Sequence, residues 1–401
     1  MKIAILSDFH LGYERFVEDA YKQAEEALTK ASELADMMIL PGDLFDIRNP
    51  RLEILAQGVN LFRNVARKKW AARVVAYAGN KKLFTDIPII AIPGTHERRA
   101  QNAGNSVELL SLAGLLIDAS DAMVEVEKDG EKVAVFSLGG LAEEKVRETL
   151  KELNPTPVEG AFNVFQFHQS IYELLPFSND FIKFDELPQG FDLYIDGHIH
   201  SKYEGKVFGK PFLIPGSTVL TQLKEGEQEQ KGFFLFDTKT KSYSFIPIES
   251  REFFVEKIDV KDKDANQIQT EIEQSIEKIL KNSKDKPVIR IVLEGELKHG
   301  YKNVDLDMID ILKRYKEKAV LEISKNKIED TQSQEGIDSL RKGTFENVSI
   351  KDYGLSIFIE QLKKSDYSLK KSPTELFEML SSDQKKDKII SEIIEILFAK
   401  N

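Results

Sequence analysis

The N-terminal stretch MKIAILSDFH, residues 1–10, sets the pattern of the fold. Its apolar run at residues 3–6 has the length of a buried strand, and Asp8 and His10 follow where that strand ends. The same order of strand, tight turn and polar side chains returns in MMILPGDLFD, residues 37–46, and in IPIIAIPGTHE, residues 87–97. We therefore expect several strands to carry chemistry at their carboxyl ends.

Helical and extended patterns alternate through the first half of the chain. Apolar residues recur with helical spacing at 15–36 and 52–65, between strand candidates at 3–6, 37–40 and 87–92. Another helix is predicted at 107–116, and further strands at 133–136, 162–167, 193–195 and 212–214. This β–α–β alternation, followed by strand-rich sequence, predicts a layered α/β sandwich in residues 1–250.

The pattern of predicted strands and helices changes near residue 251. Patterns of strand, helix, strand, helix and strand fill residues 251–325, enough for a small α+β domain. Residues 326–347 are polar and are predicted to form a linker. Residues 348–401 carry helix signals, including the start Ser372-Pro373-Thr374-Glu375 and an apolar stripe at 389–397.

Composition excludes several classes of protein. The 401 residues contain no cysteine, which rules out disulfides, zinc–thiolate sites, iron–sulfur clusters and a cysteine nucleophile, and fits a reducing cytosol. The net charge of −11 argues against binding nucleic acid by bulk charge alone. Since no apolar stretch approaches the ~20 residues of a membrane span, we expect no membrane partner.

Five of the six histidines belong to polar clusters at predicted strand ends. Aspartate and neutral histidine are the ligands expected for Mn²⁺, Fe²⁺ or Zn²⁺, and two neighbouring cations can bind a phosphate and activate a water. Glycines at 42, 94 and 197 allow tight turns there. Each motif alone could be a cap or a turn, but their number and order favour one binuclear site. The clusters are Asp8-x-His10, Gly42-Asp43-x-x-Asp46, Gly94-Thr95-His96-Glu97, His168 and Gly197-His198-x-His200.

This order of motifs resembles the calcineurin-like metallophosphoesterases, and more narrowly the archaeal branch of the Mre/SbcD DNA repair nucleases. The narrower resemblance rests on Arg48 and Pro50, Phe167-His168-Gln169-Ser170, Pro215-Gly216-Ser217-Thr218 and Lys231-Gly232-Phe233. The resemblance implies a metallophosphoesterase β-sandwich flanked by helices in residues 1–250, a DNA-binding capping domain in 251–325 and a partner-binding helical tail in 348–401.

The resemblance also implies roles for individual residues and two Mn²⁺ per subunit. Asp43 would bridge the two ions, and His96 would contact the scissile phosphate and help to protonate the leaving oxygen. Thr95 stands where the family has a metal-binding Asn, so we expect a weaker second site. Asp46 is expected to support the ligands. One ion would be held by Asp8, His10, Asp43 and His200, and the other by Asp43, His168 and His198.

The activities implied by the resemblance are a 3′-to-5′ exonuclease on duplex ends and an endonuclease on single strands or hairpins. The chain would act in double-strand break repair as a homodimer, through the helices at 52–65 and 107–116. Its tail would bind an SMC-like ABC ATPase of the Rad/SbcC type, in the cytoplasm and associated with the nucleoid. Arg48, Arg98 and Arg99 could contact DNA phosphates, or could be ordinary surface charges.

Two other functions remain open on the sequence alone. A small-molecule phosphodiesterase or phosphatase could use the same metal core. A non-catalytic scaffold, with its metal site degraded at Thr95, could tether DNA and the ATPase. His299, in Lys298-His299-Gly300, is expected to face solvent.

Overall fold

The computed structural model of the chain describes residues 1–98, 104–298 and 306–329. Residues Met1–Ile328 form one compact unit. Arg99, His299, the predicted tail at 348–401 and nearly all of the predicted linker at 326–347 lie outside the described residues. No helix in the described ranges is long and apolar enough to cross a membrane.

The strands and helices predicted for residues 1–250 are present in the predicted order. The strands are β1 (Lys2–Ile5), β2 (Met37–Pro41), β3 (Arg73–Ala78), β4 (Ile89–Ile92), β5 (Ile117–Asp118), β6 (Ala122–Lys128), β7 (Glu131–Ser137), β8 (Phe162–Phe167), β9 (Leu193–Asp196), β10 (Tyr203–Val207), β11 (Lys210–Ile214), β12 (Gly232–Asp237), β13 (Ser242–Pro247), β14 (Phe253–Asp259), β15 (Val288–Glu296) and β16 (Val320–Glu329). The helices are α1 (Val17–Leu34), α2 (Leu52–Ala66), α3 (Ser106–Leu112), α4 (Glu143–Leu153), α5 (Ala265–Asn282) and α6 (Ile309–Tyr315). The structure thus adds β3, β5, β6, α4, β10, β12 and β13, which the sequence pattern did not predict.

Two sheets pack face to face and form a sandwich. The first has the strand order β13-β12-β1-β2-β4-β5, and the second has the order β10-β11-β9-β8-β7-β6-β3. Strands β1, β2, β4 and β5 run parallel in the first sheet, as do β7, β8, β9 and β11 in the second. Parallel strands end at the same edge of a sheet, so each sheet has one edge where loops can build a site.

Strand β1 shows why the first sheet is buried on both faces. Ile3 and Ile5 pack into the core between the sheets, whereas Ala4 and Leu6 pack against α1 and α2. All four side chains are buried, which is what an uninterrupted apolar run in a central parallel strand requires. Helix α4 covers the outer face of the second sheet. The predicted α/β sandwich flanked by helices is confirmed.

The third sheet, with the order β14-β15-β16, has a core of its own beneath α5. Helix α5 begins at a capping box, in which Asp264 accepts from Gln267 N at 2.9 Å and Gln267 accepts from Asp264 N at 3.0 Å. Ile268, Ile272 and Ile276 form its buried stripe. The division of the chain into domains at residue 251 stays a prediction.

Several predicted boundaries were wrong. The helix predicted at 107–116 ends at Leu112, because Gly114 takes a left-handed φ of 70° and residues 117–118 then join the sheet. Strand β16 continues to Glu329, past the predicted start of the linker at 326, because it pairs along β15. Helix α6 begins at Ile309 rather than at 305.

Candidate metal centre

The predicted site residues lie at the carboxyl ends of five parallel strands. Asp8 and His10 follow β1, Asp43 follows β2, and residues 95–97 follow β4, all in the first sheet. His168 follows β8, and residues 198–200 follow β9, in the second sheet. The two sheets contribute to the same cluster, since His10 Nε2 lies 3.0 Å from His200 Nε2 and His168 Nε2 lies 3.2 Å from Asp43 Oδ2.

Four of these residues have a left-handed backbone. The φ angles are 54° at Asp8, 46° at His10, 50° at Asp43 and 68° at His198. A non-glycine residue in this region costs about 1–3 kcal/mol and persists only where the surroundings impose it. The fold therefore holds these four side chains in place at a cost in stability, which is common at functional sites.

The side chains form two groups that could each hold a cation. The ligand atoms of Asp8, His10 and His200 lie within 4.8 Å of one another, as do those of Asp43, His168 and His198. Asp8 Oδ1 is buried and makes no hydrogen bond to the described residues, and the buried His168 Nε2 faces the Asp43 carboxylate at 3.2 Å. Buried polar atoms without partners are costly, so the donor set fits divalent cations bound between these groups.

Each of the four histidines in these groups has one ring nitrogen within hydrogen-bonding distance of a protein oxygen. Such contacts orient metal-binding imidazoles and leave the opposite nitrogen for the metal. The pattern therefore supports the fit to cations. The contacts are His10 Nδ1 to Asp46 Oδ1 (3.1 Å), His168 Nδ1 to the Pro41 carbonyl oxygen (2.7 Å), His200 Nδ1 to Thr221 Oγ1 (2.6 Å) and His198 Nε2 to Ser170 Oγ (3.0 Å).

Burial and mutual charge shift the pKa values in the cluster. Burial raises the pKa of Asp8 to about 6, and the Asp43 carboxylate adds to this rise. Burial also favours the neutral form of Asp43, but His168 outweighs it and holds the Asp43 pKa below its usual range. Burial opposes the charge on His168, yet Asp43 and Asp8 together raise its pKa to about 10. The anionic form of Asp43 and the cationic form of His168 thus stabilise each other.

Glu97 is a supporting residue to which sequence reasoning gave no role. It is fully buried and accepts hydrogen bonds from Asp43 N at 3.1 Å, Phe45 N at 2.8 Å and Gly94 N at 2.8 Å. Burial, together with the Asp43 charge, raises its pKa to about 8. Glu97 thus ties the turn after β2 to the turn after β4. Its place directly after His96 in the Gly94–Glu97 motif was the available signal.

His96 is the most exposed imidazole among the described residues, and its side chain is 42% accessible. Its ring packs edge-on to that of His10, with centroids 4.9 Å apart. His96 Nδ1 contacts the Asp46 carbonyl oxygen, which can only accept, so Nδ1 carries a proton. His96 Nε2 is therefore the nitrogen free to exchange a proton with a substrate. Asp46 lies beside both rings and belongs to a third group with His10 and His96.

The other predicted contacts lie around this cluster. The half-buried Thr95 has its hydroxyl 3.4 Å from Asp43 Oδ2, a long hydrogen bond. Arg48 is exposed shortly after Asp46, and Arg98 is half-buried where its charge acts on Glu143. Arg99 lies outside the described residues.

We expect Thr95→Asn to raise the affinity for Mn²⁺ at the group formed by Asp43, His168 and His198. An asparagine carbonyl oxygen is a better ligand for a hard cation than the threonine hydroxyl, and its longer arm reaches further. Titration calorimetry of the variant and the wild-type chain measures this, and equal affinities at both sites would contradict it.

Comparison with known proteins places these residues in context. The family model described as calcineurin-like phosphoesterase matches residues 1–202. The double-strand break repair protein MRE11 of Encephalitozoon cuniculi is 29% identical over 256 residues, covering 58% of this chain and 44% of that protein. The Mre11 protein of Sulfolobus acidocaldarius is 27% identical over 315 residues, 74% of this chain and 75% of that one. The Mre11 protein of Methanopyrus kandleri is 27% identical over 284 residues, 64% of this chain and 59% of its own length. The chain thus spans between about half and three quarters of these relatives.

Proposed function

Because the chain belongs to the calcineurin-like phosphoesterase family, we propose that it is a Mn²⁺-dependent DNA nuclease that acts at double-strand breaks. The sequence prediction of this family is confirmed, and the narrower resemblance to the Mre/SbcD nucleases agrees with the names of its relatives. The observation that carries the proposal is the position of His96, beside His10 of one ligand group and with its backbone N 2.9 Å from Asp43 Oδ1 of the other.

In the proposed centre one Mn²⁺ is held by Asp8, His10, Asp43 and His200. The other is held by Asp43, His168 and His198, with Thr95 close by. Two bound cations supply the positive charge that polarises a phosphodiester and activates a water. The left-handed backbones at Asp8, His10, Asp43 and His198 hold the ligands in place before any substrate arrives.

His96 is the proposed acid. The Asp46 carbonyl oxygen fixes His96 Nδ1 as a donor, so Nε2 is the nitrogen that can take up a second proton and, from the protonated ring, pass it to the leaving oxygen. Asp46 also contacts His10 Nδ1 at 3.1 Å, and it therefore positions a proposed ligand and the proposed acid together. A phosphate at the cluster would lie within reach of His96, which is open to solvent.

The finer proposals follow the resemblance and the names of the relatives. We expect a 3′-to-5′ exonuclease on duplex ends, an endonuclease on single strands and hairpins, and an SMC-like ATPase partner bound by residues 348–401. The homodimer is proposed to form through α2 and α3, where Leu52, Leu109 and Leu112 are exposed. One concave surface of the proposed capping domain is lined by Lys286, Lys313 and Lys316. Arg48 and Arg98 flank the metal centre. These basic side chains are proposed to bind DNA phosphates. A cytoplasmic, nucleoid-associated location accompanies this proposal.

His96→Ser is expected to lower Mn²⁺-dependent cleavage of a labelled duplex by about 10²–10⁴-fold, the usual contribution of a general acid or base. Mn²⁺ binding is expected to persist, because His96 is not a proposed ligand. Cleavage is measured on gels with wild type beside the variant, and calorimetry reports the ions bound. His299→Ser, at the one histidine outside the motifs, is the matched control.

The same assay with bis-p-nitrophenyl phosphate separates the alternatives. Hydrolysis of the small ester without cleavage of DNA would replace the nuclease by a small-molecule phosphodiesterase. Mn²⁺ binding without activity on either substrate would indicate a scaffold. Full activity of His96→Ser on DNA would remove His96 from the mechanism.

A further inference from the structure

A chain of hydrogen bonds lies behind His200, on the side away from the candidate metal position. Thr221 Oγ1 is 2.6 Å from His200 Nδ1 and donates to Glu227 Oε1, also at 2.6 Å. Glu227 further accepts from the backbone N of Thr221 (3.0 Å), Gln222 (2.7 Å) and Leu223 (2.7 Å). Thr221 and Glu227 are both buried.

The direction of these bonds is fixed by chemistry. A carboxylate surrounded by donors can only accept, so the Thr221 hydroxyl must donate its single hydrogen bond to Glu227. Thr221 Oγ1 is then an acceptor towards His200, which requires the proton of a neutral imidazole to sit on Nδ1. His200 Nε2 is left with its lone pair, and this is the atom 3.0 Å from His10 Nε2 and 3.8 Å from Asp8 Oδ1.

Lys231 and the neighbouring backbone hold this chain of bonds in place. The buried Lys231 Nζ lies 3.7 Å from Glu227 Oε1 and donates to Ser217 Oγ at 3.0 Å and to the His200 carbonyl oxygen at 3.3 Å. It therefore compensates the charge of Glu227 and also fixes the main chain of His200. Tyr13 Oη donates to the Thr221 carbonyl oxygen at 2.6 Å, and Arg290 donates to the Leu223 carbonyl oxygen at 2.8 Å.

We propose that Thr221, Glu227 and Lys231 are positioning residues that set the tautomer and orientation of His200, and so set the affinity of the cation site formed with Asp8 and His10. The inference deepens the proposed function, on which it rests for the identity of the cation. The proposal also predicts different effects on the two ligand groups. The nitrogen of His198 away from the cluster meets Ser170 Oγ, in another part of the fold, so loss of Thr221 should affect one site and leave the other.

The first test measures the tautomer without metal or DNA. The full chain is labelled with ¹⁵N-histidine, and the His200 signals are assigned with His200→Asn; only six histidines are present. In the wild type, we expect His200 with a protonated Nδ1 and an unprotonated Nε2. In Thr221→Val this preference is expected to be lost, and in Thr221→Ser it is expected to be restored. A wild-type His200 protonated on Nε2 alone would overturn the proposal.

The second test measures Mn²⁺ binding by calorimetry. Thr221→Val is expected to weaken one of two sites by about 10–100-fold, as loss of a hydrogen-bond partner to a metal ligand usually does. Glu227→Gln is expected to weaken the same site, because an amide can offer Thr221 a donor and reverse the bond. Thr218→Val is the matched control: Thr218 lies in the same loop, and its buried hydroxyl makes no hydrogen bond to the described residues.

The outcomes separate this inference from the proposed function. Unchanged affinity in Thr221→Val, or equal weakening at both sites and in Thr218→Val, would overturn the positioning role while the nuclease assignment stands. A wild-type chain that binds no Mn²⁺ would overturn the metal centre, and with it both proposals.

Discussion

Asp43→Asn is expected to abolish Mn²⁺-dependent phosphodiester cleavage and to weaken both metal sites together. In the proposed centre Asp43 is the one residue that would hold both cations. An amide cannot bridge two cations with two anionic oxygens, so the loss should exceed the roughly 10–100-fold that removal of an outer hydrogen-bond partner costs. Cleavage of a labelled duplex and calorimetry with Mn²⁺ measure the two effects.

The fold should survive this substitution. An asparagine oxygen can still accept from His96 N, as Asp43 Oδ1 does at 2.9 Å, and asparagine is among the residues that tolerate the left-handed backbone at this position. Asp129→Asn is the matched control, because Asp129 has a similar φ of 54° but is exposed at the turn between β6 and β7. We expect the control to keep its Mn²⁺ affinity. Wild-type cleavage by Asp43→Asn would contradict the binuclear centre.

The placement of Asp8, Asp43 and His168 follows from a rule that can be read in the sequence. Each comes within three residues of the end of a short apolar strand, and parallel strands end at one edge of a sheet. The fold class was predictable for the same reason, since the run at residues 3–6 is apolar on both faces and must be central. Strand β12, with the apolar run GFFLFD, carried the same kind of signal and was not assigned.

The supporting residues could not be predicted, because their roles depend on tertiary contacts. Glu97 resembles a surface acid in the sequence, and its burial appears only when the turns after β2 and β4 meet. Thr221 lies in a loop and Glu227 in the short 3₁₀ helix Glu225–Gln228, neither of which shows periodicity, and a contact across 21 positions joins Thr221 to His200. The left-handed φ at Asp8 and His10 also has no sequence signal, since glycine is the residue that usually marks it.

Gly94→Ala is expected to disrupt the centre without changing any proposed ligand. A Cβ on Gly94 would lie 2.5 Å from Asp43 N and overlap Asp43 Oδ1. The backbone of Gly94 has no room to move away from Asp43, because Gly140 packs closely against it. A Cβ added to Gly140 would lie only 2.7 Å from Gly94 C. Asp43 would therefore have to move, and we expect both Mn²⁺ sites and DNA cleavage to be lost.

Stability should fall in the same variant, and this sets it apart from Asp43→Asn. Overpacking a tight interior costs about 1–3 kcal/mol and occasionally more, and here the obstructing atoms include backbone rather than a flexible side chain. Thermal unfolding of the metal-free chain measures this cost. Gly104→Ala is the matched control, since among the described residues its Cβ would meet Glu108 Oε2 alone, at 3.4 Å. If Gly94→Ala bound Mn²⁺ and cleaved DNA like the wild type, contact between the turns after β2 and β4 would not be what holds Asp43 in place.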